Sequence, residues 1–291
     1  MTITYLANTY HHPLSIEAAV SLLGDKAADT VLIGGATWVM RAPLRDQHTD
    51  RVFVSLAKIP ELHHISANAT HLELGALVTH QGLAAATTAL PEMAALAQAA
   101  AHSANPAIRR LATVGGNICT QGFAAADLVP ACVALAAKVD VQSGAGTATL
   151  SVEDYIPWRG SRPSDEILTR VCIPRQSGKS AHARGLLRRA GEYPVANVSL
   201  YMEAGADGVI EVIRIAVGAV ETSVKRWHAL ERALKGQHLA KASVADLAQT
   251  LMTDMTPRDG IDAPGWYRLR ILPQLVERAF ADVVAQIEGV S

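Results

Sequence analysis

The chain has 291 residues, 49% of them hydrophobic and 18% charged, with a formal net charge of -1. That is length enough for two modest domains, and the composition is that of an ordinary globular protein rather than a disordered one. A balanced charge with no Lys/Arg run interleaved with aromatics excludes general attraction to nucleic acid.

In chain order, Ser15 to Leu23 has helical spacing, and Thr30 to Ile33 reads as a short strand running into Gly34-Gly35. Val52 to Leu56 is a second apolar run, and Leu72 to Leu77 alternates as a strand does. Thr79 to Ala86 and Ala94 to His102 read as helices. The alanine-rich stretch Ala84 to Ala104 is punctuated by Pro91, Glu92, Gln98, His102 and Ser103, so it predicts buried helix and not a membrane span. Asp127 to Ala136 reads as a helix, and Lys138 to Gln142 and Ala148 to Val152 as strands about a Gly144-Ala145-Gly146 turn. Pro157 to Pro163 reads as a loop and Glu166 to Ile173 as a strand stopped by Pro174.

Arg175 to Ala183 is polar and reads as a linker. Its Ser177-Gly178-Lys179-Ser180 lacks the earlier glycine that a phosphate-binding P-loop requires. Beyond it, Val195 to Glu203 and Val209 to Ala219 predict a hairpin closed by Gly205 to Gly208. Lys225 to Leu234 and Val244 to Met255 read as helices. Tyr267 to Ile287 reads as a last amphipathic helix, interrupted or kinked at Pro273. Met1 to Asn8 lacks the basic start and apolar core of a secretory signal, which predicts a cytoplasmic location without membrane insertion.

Two glycine pairs carry the chemical signal. Ile33, Gly34, Gly35, Ala36, Thr37 and Trp38 follow the first short strand; Thr113, Val114, Gly115, Gly116 and Asn117 follow Arg109-Arg110-Leu111-Ala112, with Asp127 downstream. Glycines let backbone N–H groups approach an anion, Thr113 offers a hydroxyl, and Asn117 both donates and accepts. Alone, either pair reads more simply as a strand-ending turn, and neither supplies the G-x-G-x-x-G dinucleotide fingerprint.

Together with their flanks these loops resemble the FAD-binding, medium subunit of the molybdenum hydroxylases, the family of xanthine dehydrogenase and carbon monoxide dehydrogenase. The likeness extends through Tyr10-His11-His12-Pro13-Leu14-Ser15-Ile16-Glu17-Ala18-Ala19, Leu74-Gly75-Ala76-Leu77-Val78-Thr79, Asp165-Glu166-Ile167-Leu168, Ile173-Pro174 and Trp266-Tyr267-Arg268, in the family's order. It implies an α+β protein. Residues 1–174 would be a two-lobed FAD-binding domain, of the type shared by molybdopterin dehydrogenases and vanillyl-alcohol-oxidase-like flavoproteins. Its two α/β subdomains would divide near 55–60. A linker at 175–183 and a smaller α+β domain at 184–291 would follow.

The resemblance further implies non-covalent FAD. Ile33 to Trp38 and Thr113 to Asn117 would form two pyrophosphate loops, with Asp127 near the adenosine ribose and Leu168 lining the flavin pocket. Arg188-Arg189-Ala190-Gly191-Glu192-Tyr193 would approach from the second lobe, Tyr193 covering the isoalloxazine; these residues read equally as a solvated basic turn beside a half-buried tyrosine. Ala36 departs from the polar residue that relatives commonly place after the first Gly-Gly.

The three cysteines Cys119, Cys132 and Cys172 match no metal or redox spacing, and the eleven histidines form no HExxH-type motif, so no metal is assigned to this chain. Nor does any Ser/His/Asp arrangement occupy a recognisable nucleophile turn. No catalytic residue is therefore named. The resemblance implies electron transfer from [2Fe-2S] clusters on a small subunit to FAD here, and on to a terminal acceptor. A large subunit would carry the molybdenum cofactor and oxidise the substrate. A self-contained FAD oxidoreductase and a degenerate flavin fold serving assembly remain as alternatives.

Overall fold

The structure is a computed structural model that describes residues 9–25, 30–45, 52–187 and 193–289. It opens with β1 (Thr9–His11), α1 (Ile16–Asp25), β2 (Thr30–Ile33) and β3 (Val52–Ser55), whose strands form a parallel sheet of order β1-β3-β2. α1 carries the chain from β1 to β2, leaving between them the place that β3 fills, and buries Ala19, Val20 and Leu23.

The next unit begins with β4 (Ile65–Ala67) and β5 (His71–Gly75). It continues through α2 (His80–Thr87), α3 (Ala94–His102), α4 (Pro106–Arg109), α5 (Val114–Cys119) and α6 (Leu128–Ala134). It ends with β6 (Lys138–Ser143), β7 (Gly146–Ser151), α7 (Val152–Trp158) and β8 (Ile167–Pro174). Its five strands form an antiparallel sheet of order β4-β5-β8-β6-β7. Period-two alternation sets its faces: Leu72, Leu74, Val139, Val141, Val171 and Ile173 point into the core, leaving His71, Glu73, Asp140 and Arg170 on the other side. Every residue of α6 is buried.

The third unit comprises β9 (Lys179–Gly185), β10 (Ala196–Ala204), β11 (Ile210–Gly218), β12 (Lys225–Arg226), α8 (His228–Leu234), α9 (Val244–Thr250) and α10 (Gly265–Glu288). Its antiparallel sheet runs β12-β11-β10-β9. α10 packs on β9 and β10 through Leu272, Val276, Ala279 and Val283, a helical stripe of fully buried residues.

Several local expectations change. The segment 175–183, expected as a linker, enters β9 at Lys179. Ser180 and His182 are buried there and find partners across the fold: Ser180 Oγ accepts from Ala95 N and donates to Glu92 O, and His182 N donates to Gln98 Oε1. α7 runs on through Pro157 to Trp158, where a loop was expected. Lys225-Arg226 pair with β11 as a strand, and the helix begins only at His228. α10 continues unbroken past Pro273, whose side chain is buried in the packed face.

Candidate functional site

β2 delivers the chain into Gly34 to Trp38, where it meets the segment leading to α5. A Cβ on Gly35 would fall 1.6 Å from Leu111 O, and one on Gly34 would fall 2.9 Å from Thr113 Oγ1. The two loops seen in the sequence are therefore in contact, and glycine is what permits it. Ala36 takes a left-handed φ of 60°, unusual for a residue with a Cβ. Among the described residues, the amides of Gly35, Ala36 and Thr37 find no protein acceptor.

The second loop differs from expectation in how its donors are used. Val114 N donates to Val78 O at 2.9 Å, Gly115 N to Ala76 O at 2.8 Å, and Asn117 N to Thr113 O at 2.9 Å. Thr113 is the N-cap of α5, its Oγ1 accepting from Gly116 N at 3.1 Å. Gly115 is small for packing: its Cβ would lie 2.8 Å from that of Ala76. Asn117 Oδ1 accepts from Leu128 N. This loop thus props the first one, and the unsatisfied backbone donors belong to Gly35, Ala36 and Thr37.

Both loops border a cleft of about 1580 Å³. It is lined by Gly34, Gly35, Ala36, Thr37, Trp38, Thr113, Gly115, Gly116, Asn117, Asp127, Leu168 and Tyr193. Ile33 and Val114 stand apart, their side chains buried in the core. Arg188 to Glu192 lie outside the described residues. Tyr193 continues an aromatic row: Trp38 lies 4.7 Å from Phe123 between ring centroids, and Phe123 lies 5.1 Å from Tyr193 edge-on. Arg41 donates to the Tyr193 hydroxyl.

Further along the wall, Cys119 Sγ lies 3.4 Å from Tyr155 Oη, and Arg162 is paired with Glu166. Burial pushes the Cys119 thiol up to about 11, so it remains protonated and unreactive at neutral pH.

Where the third unit closes the cleft, Asp127 Oδ1 accepts from Arg184 Nε at 2.9 Å and Asn197 Nδ2 at 3.2 Å, with His182 Nε2 at 3.5 Å. Burial favours the neutral acid, but His182, Arg184 and Asn197 together outweigh it and hold the carboxyl below its usual range. His182 Nδ1 in turn pairs with Ser199 Oγ at 2.7 Å. This is a Ser/His/Asp alignment, yet Ser199 is wholly buried in β10, which denies any substrate access to the hydroxyl.

His80 also lines the cleft and was not named from the sequence. It is 2% exposed; Nδ1 pairs with Ser103 Oγ at 2.6 Å, while Nε2 is buried without a partner. Desolvation lowers its pKa to about 4, so the ring is neutral. Phe123, Tyr155 and His80 carry no motif-level signal, since only the folding of distant segments brings them to one cavity.

Free amides at a glycine turn, an orphaned imidazole nitrogen and an aromatic wall in one elongated cleft suit a ligand with anionic, hydroxyl-bearing and flat parts. Comparisons with known proteins agree. Residues 5–176 match the family described as FAD binding domain in molybdopterin dehydrogenase, and residues 182–283 match the CO dehydrogenase flavoprotein C-terminal domain. The chain is 26% identical over 290 residues to the xanthine dehydrogenase FAD-binding subunit of Escherichia coli O157:H7, covering 97% of each. It is 24% identical over 274 residues to the carbon monoxide dehydrogenase medium chain of Hydrogenophaga pseudoflava, covering 93% of this chain and 94% of that one. The fold is that of a chain in the carbon monoxide dehydrogenase structure from the same organism, with a TM-score of 0.88 at 24% identity, covering 96% of this chain and 97% of that one.

Proposed function

Because the chain belongs to the family of FAD-binding domains in molybdopterin dehydrogenases, we propose that it is the electron-transfer subunit of a multisubunit molybdenum hydroxylase. It takes electrons from [2Fe-2S] clusters on a small partner subunit and passes them to a terminal acceptor, while a large molybdopterin-binding subunit oxidises the organic substrate. The observation that carries this reading is the cleft itself, which brings free backbone donors and flat aromatic walls together. Relatives named as medium chains and as a complex subunit support the multisubunit arrangement.

Bound FAD supplies the redox chemistry, and the protein supplies binding, orientation and electrostatics. In this proposal the amides of Gly35, Ala36 and Thr37 hold the pyrophosphate, with Gly34 and Thr113 letting the loops close beneath it. Gly115, Gly116 and Asn117 act through α5, which fixes the loop from behind. Asp127 borders the adenosine ribose, Leu168 lines the flavin, and Tyr193 with Trp38 forms its aromatic flank. Residues 1–174 form the FAD-holding part and the remainder a C-terminal part whose first strand is β9. Among the described residues no helix is long and apolar enough to cross a membrane, and we keep the cytoplasm as the proposed location.

The test is to purify the complex through this chain and expose it anaerobically to the substrates named for its relatives, including xanthine, nicotinate, glyceraldehyde and caffeine. Flavin absorbance should bleach in the complex and not in the isolated FAD-loaded chain. Rapid bleaching of the isolated chain would replace this reading with a self-contained oxidoreductase.

A further inference from the structure

On the face of the five-stranded sheet away from its core, His71 and Glu73 project from the same side of β5, and Cys172 stands directly opposite Glu73 on β8. One ligand-type atom from each (an imidazole nitrogen, a carboxylate oxygen and the thiol) lies within 4.8 Å of the other two. All three side chains are partly exposed and sit on paired strands, so the arrangement is fixed by the sheet rather than by a loop.

The hydrogen bonds around His71 decide which of its nitrogens faces the group. Asn68 Oδ1 accepts from Thr70 N, His71 N and Thr70 Oγ1, at 2.8, 3.0 and 2.9 Å. That orients the Asn68 amide so that its Nδ2 lies 3.2 Å from His71 Nε2. His71 Nδ1 pairs with Thr70 Oγ1 at 2.7 Å. Nε2 faces the group and stands 2.9 Å from Glu73 Oε1. A proton on Nε2 makes this an ordinary hydrogen bond, and a metal ion in its place would meet both atoms as ligands. Arg170 Nη1 donates to the other carboxylate oxygen, Oε2, at 3.0 Å, leaving Oε1 turned to the group.

We propose that His71, Glu73 and Cys172 form a binding site for a borderline divalent metal ion of the zinc type, separate from the flavin cleft. One nitrogen, one oxygen and one sulfur ligand match the donor preference of such ions, and the exposed side leaves a fourth position for water. The Thr70 contact at His71 Nδ1 and the Arg170 bond to Glu73 are the outer contacts that orient the ligands. Binding displaces the Cys172 thiol proton, which goes to solvent, and the thiolate pairs with the ion. No spacing rule would reveal the site, because register alone brings Cys172 to His71 and Glu73.

The experiment titrates the full-length FAD-loaded chain with Co2+, read by absorbance, and then adds Zn2+ in competition. One Co2+ per chain should bind with an intense near-ultraviolet thiolate-to-metal band and the visible bands of a tetrahedral ion, both removed by Zn2+. Cys172→Ser should abolish the thiolate band, and His71→Ala should weaken binding by about tenfold or more, with circular dichroism and FAD content unchanged in both. A full-length chain that shows no thiolate band, or one that keeps it in the Cys172→Ser variant, overturns the site.

Discussion

Where Gly35 meets Leu111, a Cβ on the first residue would stand 1.6 Å from the carbonyl oxygen of the second, so a hydrogen is all that position 35 can carry. The contact fixes the free amides of the first loop relative to α5. Gly35→Ala should therefore weaken FAD binding at least tenfold, about 1.4 kcal/mol or more, in a chain that still folds. Gly24 is the control: it lies in α1, and a Cβ there would have nothing within 4 Å, so Gly24→Ala should leave affinity unchanged and stabilise by up to about 1 kcal/mol. Flavin fluorescence titration with circular dichroism separates the two outcomes.

His80 gives a pH signature. Its folded-state pKa is depressed to about 4 by burial, against an ordinary value of 6.5. Between those values the unfolded chain binds a proton that the folded chain refuses, so stability falls as pH drops from about 6.5 to about 4, by on the order of 3 kcal/mol. Urea midpoints across that window should show the slope, and His80→Gln should flatten it. An unchanged slope in the variant would remove His80 from this role.

Asp127 acts in the same direction at lower pH. Its carboxyl is held below the usual range, so its contribution is present above the unfolded value and lost only as pH falls through the lower folded one. Removing it takes a buried carboxylate acceptor from Arg184 Nε and Asn197 Nδ2. Asp127→Ala should cost about 3–5 kcal/mol, seen as a lower urea midpoint at unchanged m-value.

The cofactor should leave on acid precipitation, colouring the supernatant yellow. The first loop contains neither His nor Cys, and Cys119, the cleft thiol, is kept protonated by its burial. Yellow colour that stays with the precipitate would place a covalent bond on this chain.

Much of the fold was legible because its signals are local. Leu72 and Leu74 alternate with His71 and Glu73, and Ala94 to His102 forms the helix its composition suggests. β9 was not legible, since Ser180 and His182 look solvated until α3 and β10 supply their partners. The glycine loops were visible as a pair, but the division of labour between them was not. Whether Gly115 N meets a ligand or Ala76 O depends on where β5 ends, and the sequence around Gly115 does not contain that information.

The most direct test of the central claim is a titration of the apo chain with FAD and, separately, with FMN. A cleft that holds a pyrophosphate on Gly35 to Thr37 and a flat ring beside Leu168 and Tyr193 requires a dinucleotide. One FAD per chain should bind tightly, with FMN unable to compete at equal concentration. A folded chain that binds no flavin, or that binds FMN as well as FAD, would contradict the account.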